Sequence, residues 1–294
     1  MPNLKSIRKR IASVKNTQQI TRAMKMVAAA KLRKAQDRIV AAKPFAEKMD
    51  DIVHNLAGRV GEEITHPLLE AREVKKVNLL LFTSDRGLCG AFNTNMIKAG
   101  ERYIAQARAE DREVVLTCVG RKGIDYFSKR KYDIKEKYLN LGSDEDFETA
   151  KVIARNIIES YVEKEFDLIT MLFSEFFSPV KQRPFEQQLL PVLMSAEEDA
   201  AEPTGELPSE YIFEPPADKL LAKLLPQSVE VQVYRAILDN LASEFGARMS
   251  AMENATNNAD DMIKSLTLSF NRARQEAITT ELMDIVGGAE AQAK

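Results

Sequence analysis

Residues 7–42 read "IRKRIASVKNTQQITRAMKMVAAAKLRKAQDRIVAA", and the spacing within this stretch decides the fold. Steps of four and three residues pick out Ile7, Ile11, Val14, Gln18, Thr21, Lys25, Ala28, Leu32, Ala35, Ile39 and Ala42, and the pattern runs on through Ala46, Met49, Val53 and Leu56. A mean step of 3.5 is the seam of a coiled coil, the stripe that keeps facing one partner helix. Three successive seam positions, Gln18, Thr21 and Lys25, interrupt it with polar groups. Pro44 predicts a kink or a break, because it removes a backbone donor.

Such a helix needs a partner of similar length, and the far end of the chain supplies one. From about residue 217 to 286 a second stripe comprises Tyr234, Leu238, Leu241, Phe245, Met249, Met252, Ala255, Ala259, Met262, Leu266, Phe270, Ala273 and Ala277, with Gly287 and Gly288 predicting a stop. The helices would extend about 80 and 100 Å. A compact domain cannot cover both, so they must cover each other. Antiparallel pairing follows because the intervening chain separates them, and the alanines of both seams allow close approach. Beyond the partner's reach Ile278, Leu282, Ile285 and Val286 continue the apolar pattern and call for cover from another chain.

Between the helices the pattern changes to strands and helices in alternation. "VNLLLF", "EVVLTCV" and "DLITMLF" read as buried strands, "TNMIKAGERYIAQARA" and "DFETAKVIARNIIESYVEKE" as crossover helices, and "PFEQQLLPV" as a strand near an edge. "SAEEDAAEPTGELPSEYIFEPP", residues 195–216, is an acidic, proline-rich surface connection. The expected fold is α/β: a long antiparallel coiled coil of N- and C-terminal helices plus a Rossmann-like domain with a mainly parallel sheet. The boundaries fall at 1–57 for the first helix, 74–194 for the α/β domain, 195–216 for the connection and 217–294 for the last helix.

The net charge of -2 conceals a strong asymmetry. Residues 1–43 carry twelve basic side chains against one acid, Asp37, a local +11 that leaves -13 for the remainder. The basic arm must face nucleic acid, lipid headgroups or an acidic protein surface. No run approaches the roughly eighteen apolar residues that cross a bilayer, and the basic helix continues past any cleavage point of a targeting peptide. The two cysteines, Cys89 and Cys118, and the two histidines, His54 and His66, lack metal-type spacing, so buried reduced thiols in a cytosolic chain are expected.

The turn "TSDRGLCGAFN", 83–93, follows a strand and precedes a helix, as nucleotide-binding loops do. Yet Gly87 and Gly90 are only three apart with no lysine after the second, so the G-x-x-x-x-G-K-[ST] phosphate cradle is not formed. G-x-G-x-x-G and G-x-S-x-G are absent too, and nothing near Cys89 supplies a base. A tight turn whose glycines permit unusual backbone angles is the better reading. No catalytic residue, metal ligand or cofactor is expected anywhere in the chain.

The segments "LKSIRKRIASVKNTQQITRAMKMVAAAKLRKAQ", "TSDRGLCGAFN", "ARMSAMENATNNA" and "NRARQEAITTELMDIVGGAEA" closely resemble the gamma chain of F-type ATP synthases. The likeness covers nearly the whole chain in the right order. Its most specific element is I-T-x-E-x-x-[DE]-x-x-x-G-A, here Ile278 to Ala289; "NATNNADD", 254–261, is more polar than that family leads one to expect. The resemblance implies a central rotor shaft, one copy per complex and not itself catalytic. It would couple ion-driven rotation of the membrane c ring to conformational change in a ring of alpha and beta chains that make or hydrolyse ATP. The implied partners are the alpha, beta and epsilon chains and the c ring, not nucleic acid. Membrane association would come through those partners, at the cytoplasmic face of a bacterial inner membrane. By the same resemblance Met24, Lys25 and Arg248, with Gln275, Thr279 and Glu281 nearer the upper end, couple to the alpha/beta ring. Tyr211 and Glu214 would contact the c ring or epsilon at the base.

Overall fold

The structure is a computed structural model that describes residues 4–60, 66–142, 146–192 and 217–292. The chain begins with helix α1, Leu4–Val60, and ends with helix α5, Ala217–Gln292. Between them come β1 (Lys76–Phe82), α2 (Phe92–Ala109), β2 (Glu113–Val119), α3 (Arg121–Lys129), β3 (Ile134–Tyr138), α4 (Asp146–Val162), β4 (Leu168–Phe176) and β5 (Gln182–Leu190). Contacts divide the chain into two units, Met1–Ala29 with Arg248–Lys294 and Ala30–Ala247.

The larger unit is built on a five-stranded sheet of order β3-β2-β1-β4-β5. β1 pairs in parallel with β2 and with β4, β2 in parallel with β3, and only β5 runs antiparallel, against β4. The central strand β1 is the apolar "KVNLLLF", buried from Val77 to Phe82, as expected for a strand covered on both faces. Val77, Leu79 and Leu81 face one way, into a core with Met96 and Ile104 of α2 and Phe127 of α3. Beyond its C-terminal end α5 crosses: Asn240 donates to the Thr83 carbonyl at 3.5 Å, and the Ser243 hydroxyl donates to the Ser174 carbonyl at 3.0 Å. From Ala236 to Phe245 α5 is buried on nearly every side, the condition of a helix used as core rather than as surface. α1 joins this unit through Lys31, whose ammonium lies 5.3 Å from the centre of the Phe245 ring, and through Arg38, paired with Asp146 at 3.0 Å.

The smaller unit holds the N-terminal part of α1 against the C-terminal part of α5. Every seam position expected on α1 is buried or half-buried, from Ile7 to Leu56. On α5 the seam departs from expectation at two positions: Thr256, which meets Thr21, takes the place expected for Ala255, and Ile263 that expected for Met262. Met262 is 44% exposed, while its neighbour Ile263 is half-buried. The true seam runs Met252, Thr256, Ala259, Ile263, Leu266, Phe270, because a three-residue step from 256 to 259 leads on to 263.

Of the kink or break expected at Pro44 no break occurs, and the stop expected at Gly287 and Gly288 does not occur either. α1 passes through Pro44 without a break; Pro44 is exposed, so the carbonyl of Val40 that loses its donor can turn to solvent. Likewise α5 continues through Gly287 and Gly288 to Gln292, since glycine permits a helix stop without enforcing one. Two elements were not foreseen, α3 and the short strand β3, "IKEKY", whose exposed lysines alternate with half-buried Ile134, Glu136 and Tyr138 at the sheet edge.

Candidate coupling surfaces

The glycine-bearing turn after β1 lies at the carboxyl ends of the strands, beside the point where the sheet order reverses, the usual ligand crevice of open α/β sheets. Here its polar groups hold the turn to its neighbours. Thr83 Oγ1 donates to the carbonyls of Val119 and Gly120 and accepts the amide of Gly123 at 2.9 Å. Asp85 receives two backbone amides, from Arg121 at 2.9 Å and from Asn140 at 2.8 Å. Asn93 accepts the Ser84 amide at 3.0 Å, and its side-chain nitrogen reaches Cys89 Sγ at 3.1 Å. Leu88 and Gly90 take left-handed backbone angles, φ 64° and 58°. The result is a latch between β1, β2 and the start of α3. Cys89 and Cys118 are both buried and neither forms a disulfide; burial pushes the Cys118 thiol up to about 12.

The helical pair offers a different chemistry. Across the seam Gln18 donates to Asp260, Thr21 Oγ1 and Thr256 Oγ1 lie 2.8 Å apart, and Lys25 Nζ meets Glu253 Oε1 at 2.6 Å. The two threonines also bond backward within their own helices, to the carbonyls of Gln18 and Met252. Nearer the N-terminus the Arg8 guanidinium stands 5.6 Å from the centre of the Phe270 ring. These contacts show the two helices running antiparallel, with partner numbers falling on α5 as they rise on α1.

Met24 is half-buried on α1 beside Lys25, which is paired with Glu253; Arg248 is 9% exposed on α5. Gln275, Thr279 and Glu281 are exposed on α5, where the Thr279 hydroxyl donates to the Gln275 carbonyl at 2.9 Å. The two groups are therefore far apart along α5, since twenty-seven residues of helix from Arg248 to Gln275 span about 40 Å. Tyr211 and Glu214 lie outside the described residues, as does the acidic connection 195–216.

Past Ala277, which is half-buried, every described side chain of α5 is exposed. Ile278, Leu282, Met283, Ile285 and Val286 remain 49–67% exposed, a run of apolar groups uncovered within the chain. No helix among the described residues is long and apolar enough to cross a membrane.

The family model described as ATP synthase matches residues 3–292. The ATP synthase gamma chain of Trichlorobacter lovleyi is 50% identical over 290 residues, covering 99% of both chains. That of Desulforamulus reducens is 49% identical over 294 residues with the same coverage. This chain belongs to the ATP synthase gamma chain family. A chain in the Tetrahymena thermophila mitochondrial ATP synthase central stalk and c-ring structure is 26% identical to this gamma chain, with a TM-score of 0.61 over 80% of this chain and 99% of that one. A Euglena gracilis mitochondrial ATP synthase chain shares the fold at a TM-score of 0.67 and 22% identity, covering 98% and 94%.

The gamma-family frame draws attention to apolar groups that seam analysis passes over. Ile20, Met26 and Val27 on α1 and Leu268 on α5 are 59–71% exposed. Their signal was present: they are large apolar residues at positions the seam does not use, and Ile20 and Val27 stand seven apart, on one outer face.

Proposed function

We propose that this gamma chain, the central stalk subunit of an ATP synthase, works as a shaft that couples ion-driven rotation of a membrane c ring to conformational change in a ring of alpha and beta chains. The chemistry then belongs to those chains, and this one supplies mechanical coupling between distant sites. The observation that carries the reading is the antiparallel helical pair pinned by side-chain bonds at three successive layers, ending in an uncovered apolar turn. A pinned pair resists twisting better than a lone helix, and the apolar turn can seat in a bearing made by partners. The basic arm can run past acidic partner surfaces.

In this reading Met24, Lys25 and Arg248 form a lower coupling zone, and Gln275, Thr279 and Glu281 an upper one. Tyr211 and Glu214 serve at the base against the c ring or epsilon. The latch around Asp85 supports a structural rather than catalytic role for the α/β unit, because the loop's donors and acceptors are engaged by the protein itself. Membrane association through partners, at the cytoplasmic face of a bacterial inner membrane, completes the proposal.

The test mixes the purified chain with matching alpha and beta chains and compares ATP hydrolysis with mixtures lacking it. A complex of three alpha, three beta and one copy of this chain, with hydrolysis dependent on it, is the expected result. Failure to assemble with folded partners would return the basic arm to nucleic acid, whose signature is steeply salt-dependent binding.

A further inference from the structure

The seam of the smaller unit is apolar on one side of residues 18–25, with Ile7, Ile11 and Val14, and becomes alanine at Ala28 on the other. On α5 the same seam includes Ala259, Ala273 and Ala277. The α5 seam also holds Ile263, Leu266 and Phe270, so apolar packing opposes a slide in part, but apolar contacts are non-directional and do not by themselves name one alignment. Polar layers behave differently, because each pairing is specific to one alignment; only the threonine pair is part-buried, while Gln18–Asp260 and Lys25–Glu253 lie at the exposed flanks of the seam. Here three successive layers are polar, and each uses another pairing: amide with carboxylate at Gln18 and Asp260, hydroxyl with hydroxyl at Thr21 and Thr256, ammonium with carboxylate at Lys25 and Glu253.

We propose that these six residues are a register lock: positioning residues that set the axial alignment of α1 on α5, and so set how far the apolar turn Ile278–Val286 stands beyond the end of α1. A slip of four residues, about 6 Å, breaks all three pairings at once. In one direction Lys25 comes level with Met249 and Asp260 with Val14. In the other, Gln18 comes level with Lys264 and Lys25 with Asn257, leaving Glu253 opposite Ala29. The first slip does bring Gln18 level with Thr256 and Thr21 near Glu253, which can bond, but it leaves Lys25 and Asp260 beside apolar residues, and neither slip restores the Lys25–Glu253 ion pair. Thr21 is 8% exposed, but each threonine also has a carbonyl of its own helix within reach, so the hydroxyl pair adds one bond between the helices rather than rescuing an unsatisfied group. Lys25 and Glu253, at 38% and 48% side-chain exposure, add mainly charge complementarity. The lock operates within one chain, so it holds whether or not the chain turns inside a catalytic ring.

The experiment measures distances in the full chain between nitroxide labels at Ser13 and Asn257, and between labels at Ser13 and Asn271. All three positions are exposed on the smaller unit, and the two native thiols are buried. The two α5 labels sit on opposite sides of the level of Ser13, so a slip lengthens one distance and shortens the other. The native chain is expected to give one distance for each pair. The apolar variant Q18L/T21V/K25L/E253L/T256V/D260L is expected to keep its helix content and to show a second population, with the two distances displaced in opposite senses by a few ångström. A folded apolar variant that keeps the single native pair of distances overturns the lock. Should that variant fail to fold, charge reversal decides. Gln18→Glu with Lys25→Glu, which turns both flanking pairings into like charges, is expected to give two populations, and adding Glu253→Lys and Asp260→Lys to restore one. A single unshifted population in Gln18→Glu with Lys25→Glu, or no recovery on adding the two lysines, contradicts the proposal.

Discussion

Arg38, halfway along α1, holds the carboxylate of Asp146, the first residue of α4, at 3.0 Å, and that carboxylate side chain is only 2% exposed. The other oxygen of Asp146 accepts the amide of Gly142 at 2.8 Å. The long N-terminal helix is thereby fastened to the α/β layer by a nearly buried charge pair. Removing the cation takes the ion pair away from a nearly buried carboxylate, a change that costs up to about 3–5 kcal/mol. Arg38→Leu is therefore expected to lower the urea midpoint of the full chain strongly. Asp146→Asn, whose amide oxygen can still accept from Gly142, is expected to cost clearly less. Equal losses in the two variants would mean that the buried charge left by Arg38→Leu costs no more than a neutral amide at the same place.

The latch after β1 leaves no room at Gly120. Its φ is 96°, and a Cβ there would lie 2.3 Å from the Thr83 carbonyl oxygen, which belongs to backbone and cannot swing aside. Gly120→Ala is expected to prevent folding of the α/β unit, read as loss of soluble chain or of cooperative unfolding. Gly288→Ala meets nothing within 4 Å and should leave stability unchanged or raise it by about 0.5–1 kcal/mol, the usual helix preference for alanine over glycine.

Asp239 of α5 introduces a pH dependence. Burial raises its carboxyl from 3.8 to about 6, against the opposing influence of Arg235 and with a smaller upward push from Glu175. Arg235 helps little, at 3.9 Å and mostly in solvent. A group whose folded pKa exceeds its unfolded value binds more protons in the folded state between those values, so its contribution to stability falls as pH rises from about 4 to 6. Above that window the ionised, desolvated carboxylate is a standing cost, on the order of 3 kcal/mol. Asp239→Asn is expected to stabilise the chain at pH 7.5 and to leave it nearly unchanged at pH 4, measured by urea unfolding at both values. Equal effects at the two would show that the carboxylate is well solvated.

The uncovered turn at the end of α5 separates folding from assembly. Ile278, Leu282 and Ile285 are 49%, 57% and 67% exposed, so replacing all three by serine removes little burial within the chain. An unchanged unfolding midpoint is expected, together with affinity for alpha and beta chains lowered severalfold. A falling midpoint with unchanged affinity would place these residues in the chain's own packing.

Much of this was legible in one dimension. The α1 seam could be read from its 3.5-residue step alone, and the α5 seam could be read except where two neighbours, Ala255 with Thr256 and Met262 with Ile263, each offered a continuation. β3 escaped because an edge strand such as "IKEKY" carries no continuous apolar run, and α3 because nine residues give little period to detect. The two polar patches, Gln18 to Lys25 and "NATNNADD", were each visible, but their bonding was not. Periodicity shows which face of a helix is inward and says nothing about axial alignment with a partner more than two hundred residues away. The side chains of the upper coupling zone, Gln275, Thr279 and Glu281, look like ordinary helix surface in the isolated chain, and only a partner could distinguish them.

The most direct measurement fixes the alpha and beta chains of the assembled complex to a surface, attaches a bead to an exposed residue of the α/β unit such as Lys129, and follows the bead on adding ATP. Unidirectional rotation that stops when ATP is exhausted is the predicted result. Hydrolysis by the same complexes with the bead firmly attached and stationary would contradict the account.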